Sequence, residues 1–440
     1  MRAMKDSGVD GIGSIPENWN VVRLRSQFTF GKGLAITKKD LMDSGIGVIS
    51  YGQVHSKDNH GTGISDSLIR YVKEEYLATA PASLVQYGDF IFADTSEDVE
   101  GCGNCVFVDR DEPLFSGYHT LILKPKDGAI KKYFAYLFAT DAWRSQVRAL
   151  AMGVKVFSIT QKMLRDTKIL MPPEKEQLRI VEYLDEKCSE IDSLVAAKEK
   201  NNELLRVQRR SIIYEAVTKG LNTSVSMKNC GVEYLGNIPT HWKVWRMKHL
   251  ATEALQYGAN ATGVEFNQKL PRYVRITDVN PDGKLSTTGM QSLSTESAEK
   301  YMLKQGDILF ARSGATAGKS FYYEDAYGPC CFAGYLIKFH ANAEVALSKF
   351  LYYYTLTEAY ERWTQQIFIQ ATIQNISADK YNNLRFAIPP LEEQAEIVDY
   401  LDTVCEEMDD VIARNATTIQ ELKEYRQSLI YEAVTGKIEV

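Results

Sequence analysis

Residues 313–320 read Ser-Gly-Ala-Thr-Ala-Gly-Lys-Ser, a glycine-rich turn ending in a lysine and a hydroxyl, the residue types that cradle phosphate groups. A phosphate loop needs four residues between its glycines so that successive backbone N–H groups wrap the phosphates. Gly314 and Gly318 have three between them, so nucleotide hydrolysis is not expected. Arg312, Thr316 and Lys319 suit a phosphodiester backbone or a base edge better, the plain alternative being a solvated turn. Cys102-Gly-Asn-Cys105 is a lone C-x-x-C with no second pair to complete a zinc site, and reads as a turn with two thiols. Pro172-Pro173 and Pro389-Pro390 are followed by Glu and Leu, so they do not form the Asn/Asp-Pro-Pro-Tyr/Phe motif of methyl transfer. Histidines are rare, and no Ser/His/Asp, Cys/His or nuclease-like set of acids and lysine stands out. The chain carries no positive sign of being an enzyme by itself.

The elements that position these residues occur twice. Residues 172–192 (PPEKEQLRIVEYLDEKCSEID) and 389–409 (PPLEEQAEIVDYLDTVCEEMD) are identical at twelve of twenty-one positions, at a constant offset of 217. The same offset carries 205–218 onto 422–435, with nine of fourteen identical. A repeat of this length is an internal duplication. Each copy reads as one long helix: prolines open it, Glu and Gln fill the first turn, and no further proline or glycine follows until Gly220 and Gly436, the expected C-caps. Steps of three and four pick out Leu184, Ile191 and Leu205 in one copy and Leu401 and Leu422 in the other, a heptad seam with polar breaks. About 45 residues span roughly 67 Å as a helix. So narrow a stripe needs a partner helix, and its own copy is the obvious one.

A chain of 440 residues exceeds one core. No run approaches a membrane span and the N-terminal stretch has no apolar segment, so a cytoplasmic protein without membrane contact is expected. The net charge of −6 is unevenly spread: residues 174–218 carry −2 and 391–435 carry −9, whereas 1–173 carry +1 and 219–390 carry +4. The acid lies on the helices. This is compatible with blocks that grip DNA and helices that grip proteins, but charge alone does not decide.

Each block opens alike, Gly13-Ser-Ile-Pro-Glu-Asn-Trp19 and Gly236-Asn-Ile-Pro-Thr-His-Trp242, and the tryptophan reads as an anchor to the preceding helix. Short apolar runs at 48–51, 83–85, 89–92, 105–108 and 120–123 predict a compact curved sheet. Gly88-Asp-Phe-Ile-Phe-Ala93 recurs as Gly306-Asp-Ile-Leu-Phe-Ala311, and helices over 131–150 and 348–364 close the blocks. Before each proline pair, Lys155 aligns with Thr372 and Ile159 with Ile376. The helices have stayed alike while the blocks have diverged, as two copies of one task beside two different tasks would.

The order of these motifs, G-x-I-P-x-x-W, G-D-(I/F)-x-F-A, I-P-P-x-x-E-Q and (L/I)-I-Y-E-A-V-T, resembles the specificity (S) subunit of type I restriction–modification systems, over essentially the whole chain and twice. The resemblance implies an α+β fold with two mixed α/β target-recognition domains separated by two long antiparallel coiled-coil helices, a pseudo-twofold tandem repeat. The expected division is 1–171 and 220–388 for the recognition domains, 172–219 and 389–440 for the helices. It further implies double-stranded DNA with a gapped two-part target, two methyltransferase (M) subunits docked on the helices, and restriction (R) subunits joining them. S-adenosylmethionine, ATP and magnesium would then sit on those partners and no cofactor on this chain, which would itself be non-catalytic.

Base-contacting loops are the family's variable part, so DNA-binding candidates come from chemistry and position: Lys32, Lys38, Lys39, Lys155, Arg272, Arg275, Arg312, Thr316 and Lys319. Candidates for the seam and partner docking are Gln177, Leu184, Ile191, Leu205, Tyr214, Gln394, Leu401, Leu422 and Tyr431. Arg209 and Arg426, at equivalent seam positions, read as polar register-setters. The alternative function is a coiled-coil adaptor without DNA specificity, which does not explain why the paired blocks diverged.

Overall fold

In the computed structural model, residues 2–126, 130–153, 155–280, 283–369 and 374–440 are described. The two long helices run over Glu174–Lys219 and Leu391–Val434. Both end where a glycine takes a left-handed backbone, Gly220 at φ 77° and Gly436 at φ 70°, as a C-cap requires. The chain forms two compact units, residues 1–198 with 417–440 and residues 199–416, so each unit holds one block, the start of one long helix and the end of the other.

In the first unit an antiparallel sheet has the strand order Cys105–Phe107, Phe90–Ala93, Thr120–Pro125, Phe28–Lys32. Alternate residues face opposite sides. Phe90, Phe92, Leu121 and Leu123 pack with Phe134, Phe138 and Trp143 of the helices, while Ile91, Ala93 and Ile122 pack with Ile49 and Val54 on the other face. A second sheet carries a parallel pair, Leu114–Ser116 beside Ile46–Ile49. The strands Phe28–Lys32 and Leu114–Ser116 escape the sequence reading, the first because its Gly31 breaks the apolar run. Gly31 lies across from Ile122, where a Cβ would approach to 3.3 Å of that side chain.

The second unit repeats this plan with the order Ser320–Tyr322, Ile308–Ala311, Leu336–Phe339, Gln256–Tyr257. Its parallel pair is Arg272–Val274 beside Cys330–Phe332. The closing helices differ from expectation: each is two pieces, Lys131–Phe138 with Asp141–Leu150, and Ser348–Tyr354 with Glu358–Ile369. The break falls at Thr140 and Thr357. Each hydroxyl donates to the carbonyl three residues back and accepts the N–H three residues on, which starts a new helix.

Both block-opening tryptophans are buried. Trp242 Nε1 donates to Glu393 Oε1 at 3.0 Å, at the start of one long helix, and its ring meets Gly220 just past the end of the other. Trp19 lies likewise against Gly436. Ile213, Ala216 and Val217 enter the core of the second unit, and Leu429, Ile430, Ala433 and Val434 that of the first. Each long helix therefore starts on the block it follows and ends in the core of the other unit.

Candidate nucleic-acid interface

The helix candidates divide into core and joint. Leu184, Ile191 and Leu401 are buried, and Leu205 and Leu422 half-buried. Gln177 and Gln394 face inward: Gln177 Nε2 donates to the Pro172 carbonyl at 2.8 Å, and Gln394 Nε2 to that of Pro389 at 2.9 Å, tying each proline pair to its first helical turn. The Gln394 carbonyl oxygen also accepts from Leu347 N at 2.8 Å. Tyr431 donates to the Gly11 and Ile12 carbonyls, and the Tyr214 hydroxyl accepts from Arg362 at 3.5 Å, so both fasten helix ends to loops. Arg426 pairs with Asp192 at 3.0 Å in the first unit and Arg209 with Asp409 at 3.6 Å in the second, the same bond at offset 217. Both arginines are thus engaged by the opposite helix.

A joint the sequence reading missed is repeated as faithfully. Tyr136 donates to Asp185 Oδ1 at 2.5 Å beside Lys132, and Tyr353 to Asp402 Oδ1 at 2.5 Å beside Lys349. Burial first, then the carboxylate, pushes both phenols well up, so they remain donors. All six residues correspond at offset 217, a signal present in the sequence.

On the blocks, Lys32, Lys38, Lys39 and Lys155 are exposed. Lys38 and Lys39 ride a single 3₁₀ turn closed by Asp40, whose carboxylate accepts from Thr37 N at 2.7 Å. Thr372, aligned with Lys155, lies outside the described residues. Arg272 Nη2 donates to the Ser286 carbonyl. Arg275 grips the buried Asp278 with Nε at 3.1 Å and Nη2 at 2.6 Å and reaches the Gly289 carbonyl at 2.8 Å. That clamp raises the Arg275 pKa and engages Nε and Nη2, which makes it a poor base reader.

The structure brings Arg312, Thr316 and Lys319 together on one turn. Its backbone N–H groups are committed within the chain: Ala317 to Gly314, Gly318 to Ala311, and Lys319 to Thr316, at 2.9–3.0 Å. These three N–H groups are therefore not available to wrap a phosphate, in keeping with the short glycine spacing. Arg312 stacks over Tyr257, its Cζ 4.9 Å from the ring centre, and exposed Tyr335 lies on the neighbouring strand end, its carbonyl accepting the Arg312 N–H at 3.0 Å. Lys319 borders a cleft with Arg209 and Arg210.

The first unit presents a cluster that the sequence reading passed over. Tyr51, His55, Tyr118 and His119 meet edge to face, with His119 5.6 Å from Tyr51 and 6.1 Å from Tyr118. His55 Nε2 contacts the Thr95 carbonyl at 2.8 Å. Four rings, partly exposed, on the short helix Tyr51–Val54 with its cap His55 and on the loop before Thr120 are a surface on which bases or sugars can rest. Cys102 and Cys105 are buried and burial pushes both thiols up, Cys105 to about 12, so the C-x-x-C is core packing. Among the described residues no group of three or more His, Cys, Asp or Glu is placed to hold a metal. No helix among them is long and apolar enough to cross a membrane.

Comparison with known proteins bears on the whole chain. The family model described as the type I restriction modification DNA specificity domain matches residues 16–205 and 266–424. The EcoBI specificity subunit of Escherichia coli is 20% identical over 98% of this chain and 89% of its own length. The StySPI specificity subunit of Salmonella potsdam is 21% identical over 97% and 90%. Among solved structures, a chain from work on complex assembly and conformational transition of the type I R-M system superposes with a TM-score of 0.71, at 19% identity over 96% of this chain and 99% of that one. The HsdS subunit from Thermoanaerobacter tengcongensis gives 0.51, at 19% identity over 96% and 98%. These likenesses support recognition rather than the adaptor alternative. With two recognition blocks, each closed onto two long helices by the same joint, and a family match in both halves, the chain belongs to the type I restriction–modification DNA specificity family.

Proposed function

We propose that the chain reads a gapped, two-part target in double-stranded DNA, one block per half-site, while its two long helices dock two methyltransferase subunits that restriction subunits then join. The observation that carries this reading is the contrast between joint and surface. The bonds Tyr136–Asp185 and Tyr353–Asp402, and Arg426–Asp192 and Arg209–Asp409, are the same in both repeats. The block surfaces hold an aromatic and histidine cluster in one unit and an arginine on a tyrosine in the other. Identical joints suit identical partners, and unlike surfaces suit unlike base sequences.

On this reading the chain supplies recognition and no chemistry. S-adenosylmethionine, ATP and magnesium act on the partner subunits, and the complex works in the cytoplasm. The outward acidity of the helices suits protein docking, because phosphates would be repelled there. The test is selection of a random duplex library by the chain with its methyltransferase partner at moderate salt. A gapped consensus in two parts is the expected result. Salt-sensitive binding with no consensus would falsify the reading.

A further inference from the structure

The two blocks put unlike side chains on one backbone node. In the first unit Asp94 follows the strand Phe90–Ala93; its N–H donates to the His119 carbonyl at 3.1 Å, and its carbonyl accepts from Ile159 N at 2.8 Å. In the second, Arg312 follows the strand Ile308–Ala311; its N–H donates to the Tyr335 carbonyl at 3.0 Å, and its carbonyl accepts from Ile376 N at 2.8 Å. His119 and Tyr335 each directly precede the next strand of their sheet. Asp94 and Arg312 are therefore equivalent, and so are His119 and Tyr335.

Neither polar tip at this node is closed by its own block. Asp94 Oδ1 lies 3.3 Å from His119 Nδ1, an ion pair only when that imidazole is protonated, and has no hydrogen-bond donor among the described residues. Arg312 Nε has no acceptor among them, and its guanidinium rests on Tyr257. Buried polar groups are normally satisfied, so two orphans at equivalent positions leave bonding capacity there for a ligand or water to complete. His119 holds φ at 55°, a left-handed backbone that side chains with a Cβ rarely adopt and that clusters at binding sites. Tyr335 is 69% exposed. Arg275 makes the contrast, its Nε and Nη2 being engaged by Asp278 and Gly289.

We propose that Asp94 and Arg312 are the specificity-determining residues at corresponding positions of the two half-sites. This rests on the two-part DNA reading above. A carboxylate repels phosphates and is useful at a DNA surface only against an exocyclic amino group, so Asp94 selects cytosine, or adenine in second place. A guanidinium placed over a ring presents two parallel donors, so Arg312 selects guanine through O6 and N7.

The test is library selection with the chain and its methyltransferase partner, wild type beside Asp94→Asn and Arg312→Gln. Each variant should change one base position, in different half-sites, with the preference there falling roughly ten- to a hundredfold. Asp94→Glu and Arg312→Lys, which keep the charge but shift its reach, should perturb the same two positions and cover the case in which a first variant does not fold. Wild-type consensus in every folded variant, or both changes in one half-site, overturns the assignment. Absence of any two-part consensus with the wild type instead removes the reading on which it rests.

Discussion

The side-chain amide of Asn415 donates to that of Asn202 at 2.8 Å, and both residues are buried in the seam between the long helices. A buried asparagine pair in an apolar seam contributes less to stability than to register, because only one alignment lets the amides meet. Asn202→Leu alone takes away the acceptor of this buried bond and should cost about 1–3 kcal/mol in chemical denaturation. Asn202→Leu with Asn415→Leu should recover most of that loss. If register sets the gap, the double variant should select a wider spread of spacer lengths from a duplex library. An unchanged single spacer would mean that the rest of the seam suffices.

Tyr136 and Tyr353 tie each block to the helix that follows it through Asp185 and Asp402. Phenylalanine at either position removes a hydrogen bond to a charged group, worth about 1.5–3 kcal/mol. Because the two joints repeat each other, Tyr136→Phe and Tyr353→Phe should lower stability by similar amounts in urea titrations, without altering the selected base sequence. A changed consensus would give the joint a recognition role.

The helices, their caps and much of the sheet were legible because periodicity, proline pairs and cap glycines are local signals. The tyrosine joint is written in the sequence as three identities at one offset, yet its meaning needs the fold, since Tyr136 and Asp185 are 49 residues apart. The break at Thr140 was hidden because a threonine inside an apolar run serves a helix interior or a cap equally well. Arg275 stands out by its charge, although Asp278, three residues on, is the sequence sign of a closed turn. The Asp94–Arg312 node was invisible for a different reason. A repeat is detected by identities, whereas recognition resides at equivalent positions that differ.

Glu176, at the start of the first long helix, receives Arg2 Nη2 at 2.8 Å. Burial pushes its carboxyl up, but the Arg2 hydrogen bond and charge outweigh this and hold it below the ordinary carboxylate range. A depressed folded-state pKa stabilises above the ordinary value and loses that contribution as pH falls through the folded value. Glu176→Gln should therefore differ most from wild type in thermal melts near neutral pH, and the gap should close as pH drops below about 4. A constant gap down to pH 3 would show that the carboxylate charge is not what stabilises this helix start.

Gly436 and Gly220 hold the same C-cap but not the same space. A Cβ at Gly436 would come within 2.4 Å of Pro16 Cδ, whereas one at Gly220 would meet Glu393 Oε1 at 3.0 Å and the Trp242 ring at 3.3 Å. Left-handed backbone costs a residue with a Cβ about 1–2 kcal/mol in either case. Gly220→Ala should cost about that much, since a carboxylate can swing away. Gly436→Ala must also displace a proline ring and should lower the melting temperature further. Equal losses would mean that the Pro16 loop yields freely.

Lys319 and Arg275, both basic and in the same block, should fail in opposite ways. Lys319 is exposed on the turn that carries Arg312. If it meets a phosphate, Lys319→Ala should weaken binding to all sequences alike and reduce the slope of log affinity against log salt by about one. Arg275→Ala strips the buried Asp278 of its partner and should lower the stability of the second unit by about 1–3 kcal/mol while leaving the salt slope intact. Binding titrations at several salt concentrations, read beside denaturation curves for the same variants, separate the two. A lowered salt slope in Arg275→Ala with unchanged stability would return that arginine to the DNA surface.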